Sequence, residues 1–512
     1  MEIFIILRLM RRSFSMLLRM MSSEQQIDLV LAGARVIDPE TGLDEVRNVA
    51  VSGGRIAAVT SDRLAGDVVV DVSNRVLTPG FIDLHSHAQT VTGLRLQALD
   101  GVTTALELEA GALPVRAAYA EAAAEGRPIN FGYSAGWALA RMRLLDGVAL
   151  DASAFDMFSK YQGAPNWRHP VGARDMARVL DLLEEQIHDG ALGIGMLVGY
   201  APDSGRGEYY AVASLAARLG VPTFTHTRFM STEEPGTSLE GALEVIAAAA
   251  GTGAHMHMCH INSSSNRMID DVAAAVDRAR GYGLRITTEA YPYGSASTVI
   301  GAAFLAPELL HRLGMMPKNI LCLSTGERVA DAARLAQLRQ EDPGALIQFD
   351  WLDESNPADL ETLQHSLLFA DTAIASDAVP LVGRTGETWP IADDVFTHPR
   401  SVGCYARTFG WLVRELGVLP LAEAVRRCTL LPAQILEAAA PAMKRKGRIQ
   451  VGADADIVVF DPDAIASGAT ATRVRPSTGI DHVLVGGTFV VRDEHIQLDH
   501  LPGEPIFGRH RT

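Results

Sequence analysis

Residues 76–87 read VLTPGFIDLHSH. An apolar run interrupted by Pro79 and Gly80 ends in two histidines one residue apart, and in an extended chain both imidazoles then project from the same face. The rest of the chain repeats the first half of that pattern. Seven further apolar, strand-like runs end near Leu108, Tyr133, Met196, Thr225, Cys259, Ala290 and Ala375, and amphipathic segments such as ARDMARVLDLLEEQIHDG (173–190) and SLEGALEVIAAAAG (238–251) separate several of them. Counted with the run ending at Leu84, the eight predict an α/β chain folded as a (β/α)8 TIM-like barrel rather than an open sheet. Such barrels carry their chemistry at the C-terminal ends of the strands, so His85 and His87 sit where a same-face pair can chelate a metal ion.

Three more strand ends supply polar groups. VPTFTHTR contributes His226, HMHMCHIN contributes His260, and IASDAVP places Asp377 at the end of the eighth strand. A carboxylate opposite four histidines can both touch a metal and exchange protons with water, which makes Asp377 the candidate general acid and base. Cys259 adjoins His260, points away from it by strand alternation, and is read as core.

Outside the barrel the texture changes. Short β runs with glycine turns, DLVLAGARVIDPETG from Asp28 at one end and KGRIQVGADADIVVFDP from Lys446 and DHVLVGGTFVV from Asp481 at the other, predict a small composite β-sandwich made of 26–78 and 438–500. The barrel, 79–437, is then the insert. Within it, about 303–370 is longer than one crossover needs and reads as a helical lid or insertion. Residues 1–25 mix apolar residues with Arg8, Arg11, Arg12 and Arg19, lack an unbroken apolar run able to span a bilayer, and are read as a tail or an over-extended start.

Charge and composition narrow the function. With 45 basic against 61 acidic residues the net charge is −16, which opposes nucleic-acid backbones and anionic membranes and favours small-molecule substrates. A chain that is 48% hydrophobic with 46 Gly and 24 Pro is globular. Its four cysteines (Cys259, Cys322, Cys404, Cys428) form no CxxC pair, so neither a disulfide framework nor a structural zinc knot is expected and a reducing, cytoplasmic compartment fits. A homo-oligomer is compatible with all of this.

Beyond the HxH and the Ser-Asp, the chain carries GVTTALELEAG at 101, GALGIGMLVGYAP at 190, His226 with Arg228, EAYPYGSAS at 289, HPRSVG at 398 and the closing GRIQVGADADIVVFDP. In this ordered set it resembles the amidohydrolase superfamily, and within it the D-aminoacylase (N-acyl-D-amino-acid deacylase) group. The resemblance implies a barrel flanked by a β-sandwich, one or two divalent ions, usually zinc, and hydrolysis of N-acyl-D-amino acids, with N-acyl-D-glutamate favoured. Two departures matter. Many relatives bridge two metals with a carboxylated lysine, but Lys160, Lys318, Lys444 and Lys446 end no recognisable strand. The D-aminoacylase group uses a cysteine at the end of the second strand, where this chain has Ala110; Glu107 and Glu109 share one strand face there, and Glu109, nearer the strand end, is the expected substitute. An oxygen ligand makes Mn2+ or Co2+ more competitive with Zn2+. By position the resemblance further implies that Arg400, Tyr291 and Ser297 hold the substrate carboxylate, while Asn262 stands where the group commonly has lysine. The competing readings are a hydrolase of cyclic or other amides, of the hydantoinase or dihydroorotase kind, and a barrel that has lost catalysis and serves an assembly role.

Overall fold

The computed structural model describes residues 26–149, 154–383 and 388–512; the tail expected at 1–25 lies outside them. Eight parallel strands form the barrel: β1 (Phe81–Asp83), β2 (Val102–Ala112), β3 (Asn130–Gly136), β4 (Ile194–Leu197), β5 (Thr223–His226), β6 (Met256–Met258), β7 (Ile286–Ala290) and β8 (Thr372–Ile374). They pair in sequence order from β1 to β8. The ring is nearly closed by a parallel bridge between Ser86 and Ala378, where the His87 N–H donates to the Ala378 carbonyl at 2.8 Å.

A buried carboxylate reinforces that seam. Asp83 accepts from the Ser376 N–H (2.9 Å), the His85 N–H (3.1 Å) and Gln97 Nε2 (2.7 Å), and the Ser376 hydroxyl donates to it as well. Burial pushes its pKa up to about 6 despite these donors.

Helices cover the outside of the barrel, and their ends are chemically specified. The helix Ser238–Thr252 starts in a capping box between Thr237 and Glu240 and stops at Gly253 in the left-handed region, φ 72°. Inside the barrel Ile82, Leu84, Leu106, Leu108, Leu192 and Phe224 pack together, and Leu431, Ile435 and Leu436 with Ile506 from the C-terminal segment join that cluster.

Strands near both ends of the described chain meet in one nine-stranded sheet. Val76–Pro79, the run that leads into β1, pairs on one side with Leu29–Asp38 and on the other, antiparallel, with Ile457–Phe460. IVVF is buried on both faces: Ile457 and Val459 face a small core with Leu31, Val49 and Leu77, whereas Val458 and Phe460 face the barrel's core. The segment expected to be a helical insertion, about 303–370, also contributes two strands, Ile320–Cys322 and Leu346–Asp350, to a three-stranded antiparallel sheet completed by Ser295–Val299 just before it. Its short ILC and LIQFD runs favour extended pairing, and the helices Ala332–Glu341 and Pro357–Leu368 lie between and after them. Among the described residues no helix is long and apolar enough to cross a membrane.

Candidate active site

Strand ends bring the predicted side chains to one buried point at the C-terminal mouth. Glu109, on β2, is central to it. One of its oxygens, Oε1, lies 2.8 Å from His260 Nε2 and 3.2 Å from His226 Nδ1. The other, Oε2, lies 3.3 Å from His85 Nε2 and 3.7 Å from His87 Nε2. Asp377 Oδ1 closes the arrangement from the β8 side, 3.5 and 3.6 Å from the same two Nε2 atoms, which are themselves 3.1 Å apart. The set His85, Glu109 and His260 and the set His85, His87 and Asp377 each offer donor atoms within 4.8 Å of one another.

The backbone is bent to achieve this. His260 has φ 33° and Asp377 φ 49°, left-handed conformations that cost a side-chain-bearing residue roughly 1–3 kcal/mol each and tend to collect at functional sites.

The electrostatics are those of a negative cluster. Burial alone would disfavour a charged imidazole, but Asp377, Glu109 and Glu289 together drive the His85 pKa well up. Burial likewise works against the Glu109 carboxylate, yet His85, His260 and His226 hold its pKa well down. His226, where burial dominates, is shifted down.

The other expected site residues lie close by in different roles. Arg400 is completely buried: its Nη2 donates to Asp377 Oδ2 at 2.8 Å, its Nε to the Asp377 carbonyl at 2.7 Å, and its guanidinium lies 4.4 Å over the Tyr291 ring. Arg400 Nη1 and the Tyr291 hydroxyl are buried without a well-formed hydrogen bond. Ser297 lines the cavity together with His87, Glu109, His226, His260 and Asp377, and its hydroxyl donates to the Ile347 carbonyl at 2.7 Å. Asn262 is turned away, its Nδ2 donating to the Tyr291 carbonyl at 3.0 Å. Cys259 is packed in the barrel core as expected, although its sulfur also comes within reach of His85 and Glu289.

Residues not singled out from the sequence complete the site. Glu289 on β7 meets His85 Nδ1 at 2.6 Å, and Glu107, weighed only as a ligand, instead meets His87 Nδ1 at 2.7 Å. Glu289 ends a barrel strand just as Asp377 does, so the criterion that selected Asp377 applies to it equally. Phe304 and Phe349, from the inserted segment, and Tyr200 roof the cavity. Phe304 stacks on His226 with ring centres 5.7 Å apart, a contact no local pattern in the sequence announces.

Comparison with known proteins places the chain in a family. A profile described as the amidohydrolase family matches residues 68–491. The N-acyl-D-glutamate deacylase of Alcaligenes xylosoxydans xylosoxydans is 28% identical over 500 residues, covering 91% of this chain and 94% of its own. The D-aminoacylase of the same organism is 27% identical over 509 residues, covering 94% and 97%. Among solved structures, N-acyl-D-glutamate deacylase from Bordetella bronchiseptica, complexed with zinc and a phosphonate inhibitor, superimposes with a TM-score of 0.75 at 24% identity, covering 94% of this chain and 100% of that one.

Proposed function

Because the chain belongs to the amidohydrolase family, and within it to the D-aminoacylase group, we propose that it is a metal-dependent hydrolase of the amide bond in N-acyl-D-amino acids, with N-acyl-D-glutamate the first substrate to test. The observation that carries this reading is the position of Glu109 between four imidazoles. The donor set suits a divalent ion on its own chemistry. Glu107, Glu109, Glu289 and Asp377 are four buried carboxylates touching the histidines, and among the described residues Arg400 is the one guanidinium that pairs with any of them, an excess of three negative charges when the imidazoles are neutral. A buried excess of that size calls for cations.

His85, His87, Glu109, His226, His260 and Asp377 would hold one or two ions, zinc first; an all nitrogen and oxygen shell also accepts manganese or cobalt. A bound divalent ion would supply a Lewis acid for the amide carbonyl and acidify the attacking water.

The rest falls to the chain's own groups. Arg400 fixes Asp377 through Oδ2 and leaves Oδ1 facing the cluster, so Oδ1 is the atom that takes the water's proton and returns it to the departing amine. Ser297, which lines the cavity, receives the substrate carboxylate after rotation of its hydroxyl, and Arg400 Nη1 and the Tyr291 hydroxyl, buried just behind the lining with hydrogen-bonding capacity to spare, are assigned to the same carboxylate. Glu109, next to the Ala110 that stands at the position of the group's cysteine, takes the part of that ligand.

The strand order supports a division into a barrel, 79–437, and a composite β domain, 26–78 with 438–500. Four buried cysteines, all free, support a reducing, cytoplasmic setting. The test is a chirally resolved screen of N-acetyl amino acids with parallel metal analysis. Release of D-amino acids by metal-bearing protein is expected; equal cleavage of L-enantiomers, or of neutral cyclic amides in preference, would overturn the assignment.

A further inference from the structure

The two histidines that follow β1 are treated differently from His226, which ends β5, and His260, which follows β6. His85 Nδ1 faces Glu289 Oε1 at 2.6 Å, and His87 Nδ1 faces Glu107 Oε2 at 2.7 Å. Both carboxylates are fully buried. An ionised carboxylate only accepts hydrogen bonds, so each Nδ1 carries the hydrogen and, in the neutral ring that binds a metal, each Nε2 is left with a lone pair. Those Nε2 atoms are 3.1 Å apart, and Glu109 Oε2 and Asp377 Oδ1 lie within 3.7 Å of both. Four acceptor atoms thus converge on one point.

The other two histidines have no such backing. His260 Nδ1 meets the Ser264 hydroxyl at 2.8 Å, and His226 turns its Nδ1 toward Glu109 while its Nε2 has no hydrogen-bond partner among the described residues.

We propose that Glu107 and Glu289 are positioning residues that act through His87 and His85, holding each ring from opposite walls of the barrel with its Nε2 turned inward to a metal ion. Neither touches substrate. Glu289 is itself held: its Oε2 lies 3.1 Å from His257 Nε2, and His257 Nδ1 lies 2.9 Å from the Thr287 hydroxyl. His257 is therefore the support of a support. A carboxylate behind a ligating imidazole fixes the tautomer and raises the ring's basicity, and removing such a partner commonly costs 10- to 100-fold in metal affinity.

The inference rests on the metal-hydrolase reading above and extends it to residues outside the ligand set. The experiment is a zinc titration of metal-free protein against a chromophoric chelator, for the wild type, Glu107→Gln, Glu289→Gln and Ser264→Ala. Glutamine keeps the size and one acceptor but gives up the charge. About a 10- to 100-fold loss of zinc affinity is expected in each glutamine variant and little change in Ser264→Ala, with kcat recovering at saturating zinc and KM for the acyl amino acid unchanged. A purely structural role would not be rescued by metal. Wild-type affinity in both glutamine variants overturns the proposal.

Should the glutamine variants fail to fold, the cobalt-substituted wild type decides. Its His85 and His87 should show hyperfine-shifted, slowly exchanging Nδ1–H resonances, and their absence overturns the idea. So does an intense thiolate-to-cobalt charge-transfer band lost in Cys259→Ser, because Glu289 and Cys259 would then be ligands of an ion of their own. Zinc binding with these dependences but no deacylation would sink the substrate reading alone; a wild type that binds no zinc would sink both.

Discussion

Glu107 and Glu109 share one face of β2, and two residues of separation give them different partners. Glu109 reaches all four histidines, whereas Glu107 backs His87 and accepts the Ala110 N–H at 3.2 Å. Glu109→Ala is therefore expected to emerge from desalting with most of its metal lost, and Glu107→Ala with weakened but measurable binding; elemental analysis of the two separates them. Asp377→Asn should keep fold and metal while turnover falls by roughly 10²- to 10⁴-fold, the usual worth of a positioned acid–base. Arg400→Lys tests a divided duty. Its loss of the fork onto Asp377 should lower kcat for an N-acyl amino acid and for the corresponding amide alike, and any additional loss confined to the acid measures the contact from Nη1. The four histidines and Asp377 were legible in the sequence because a barrel strand's end advertises its polar residues. Glu289 is overshadowed in EAYPYGSAS by the aromatic and serine residues that carry the resemblance, and the clamp of Arg400 on Asp377 joins residues whose contact depends on how the chain returns after β8.

Elements are joined here by buried carboxylates, and Asp100 gives a pH signature for one such joint. From the turn before β2 it accepts the N–H groups of Tyr405 (2.8 Å) and Ala406 (3.0 Å) and the Ser477 hydroxyl (2.7 Å), linking the barrel, the helix Arg400–Arg407 and the terminal β segment. Burial raises its pKa from 3.8 to about 7. With the folded value above the unfolded one, folding favours the protonated form: the contribution is complete below about pH 4 and is lost as the pH rises toward 7. Unfolding free energy from urea titrations should fall through that window with a slope of at most about 1.4 kcal/mol per pH unit, and Asp100→Asn should flatten it. An unchanged slope in the variant would place the proton elsewhere. At this scale the barrel strands and the helices between them follow from periodicity. The sheet that the insertion joins does not, because runs as short as Ile320–Cys322 become strands only through the partner they pair with.

Taken as a whole, the molecule is organised by its two ends. Strands at both ends of the described chain share a sheet whose Val76–Pro79 member runs directly into β1, so the small sheet fixes where the first histidine pair begins. Like texture at the two ends made that pairing readable; the path of the last residues was not, because a segment such as LPGEPIFGRH carries no periodicity. It nonetheless packs Ile506 into the cluster inside the barrel and accepts a hydrogen bond from the Tyr119 hydroxyl at 2.5 Å through the Ile506 carbonyl. Ile506→Ala should cost about 2–5 kcal/mol in chemical denaturation, and a cost below about 0.5 kcal/mol would mean that the barrel is stable without this contact. The central claim, that this barrel is a metal-dependent deacylase of N-acyl-D-amino acids, is tested most directly by following N-acetyl-D-glutamate hydrolysis as the ion is stripped by a chelator and zinc is then returned. Turnover is expected to fall in step with metal content, to return with zinc, and to leave N-acetyl-L-glutamate intact; undiminished turnover in metal-free protein would contradict the account.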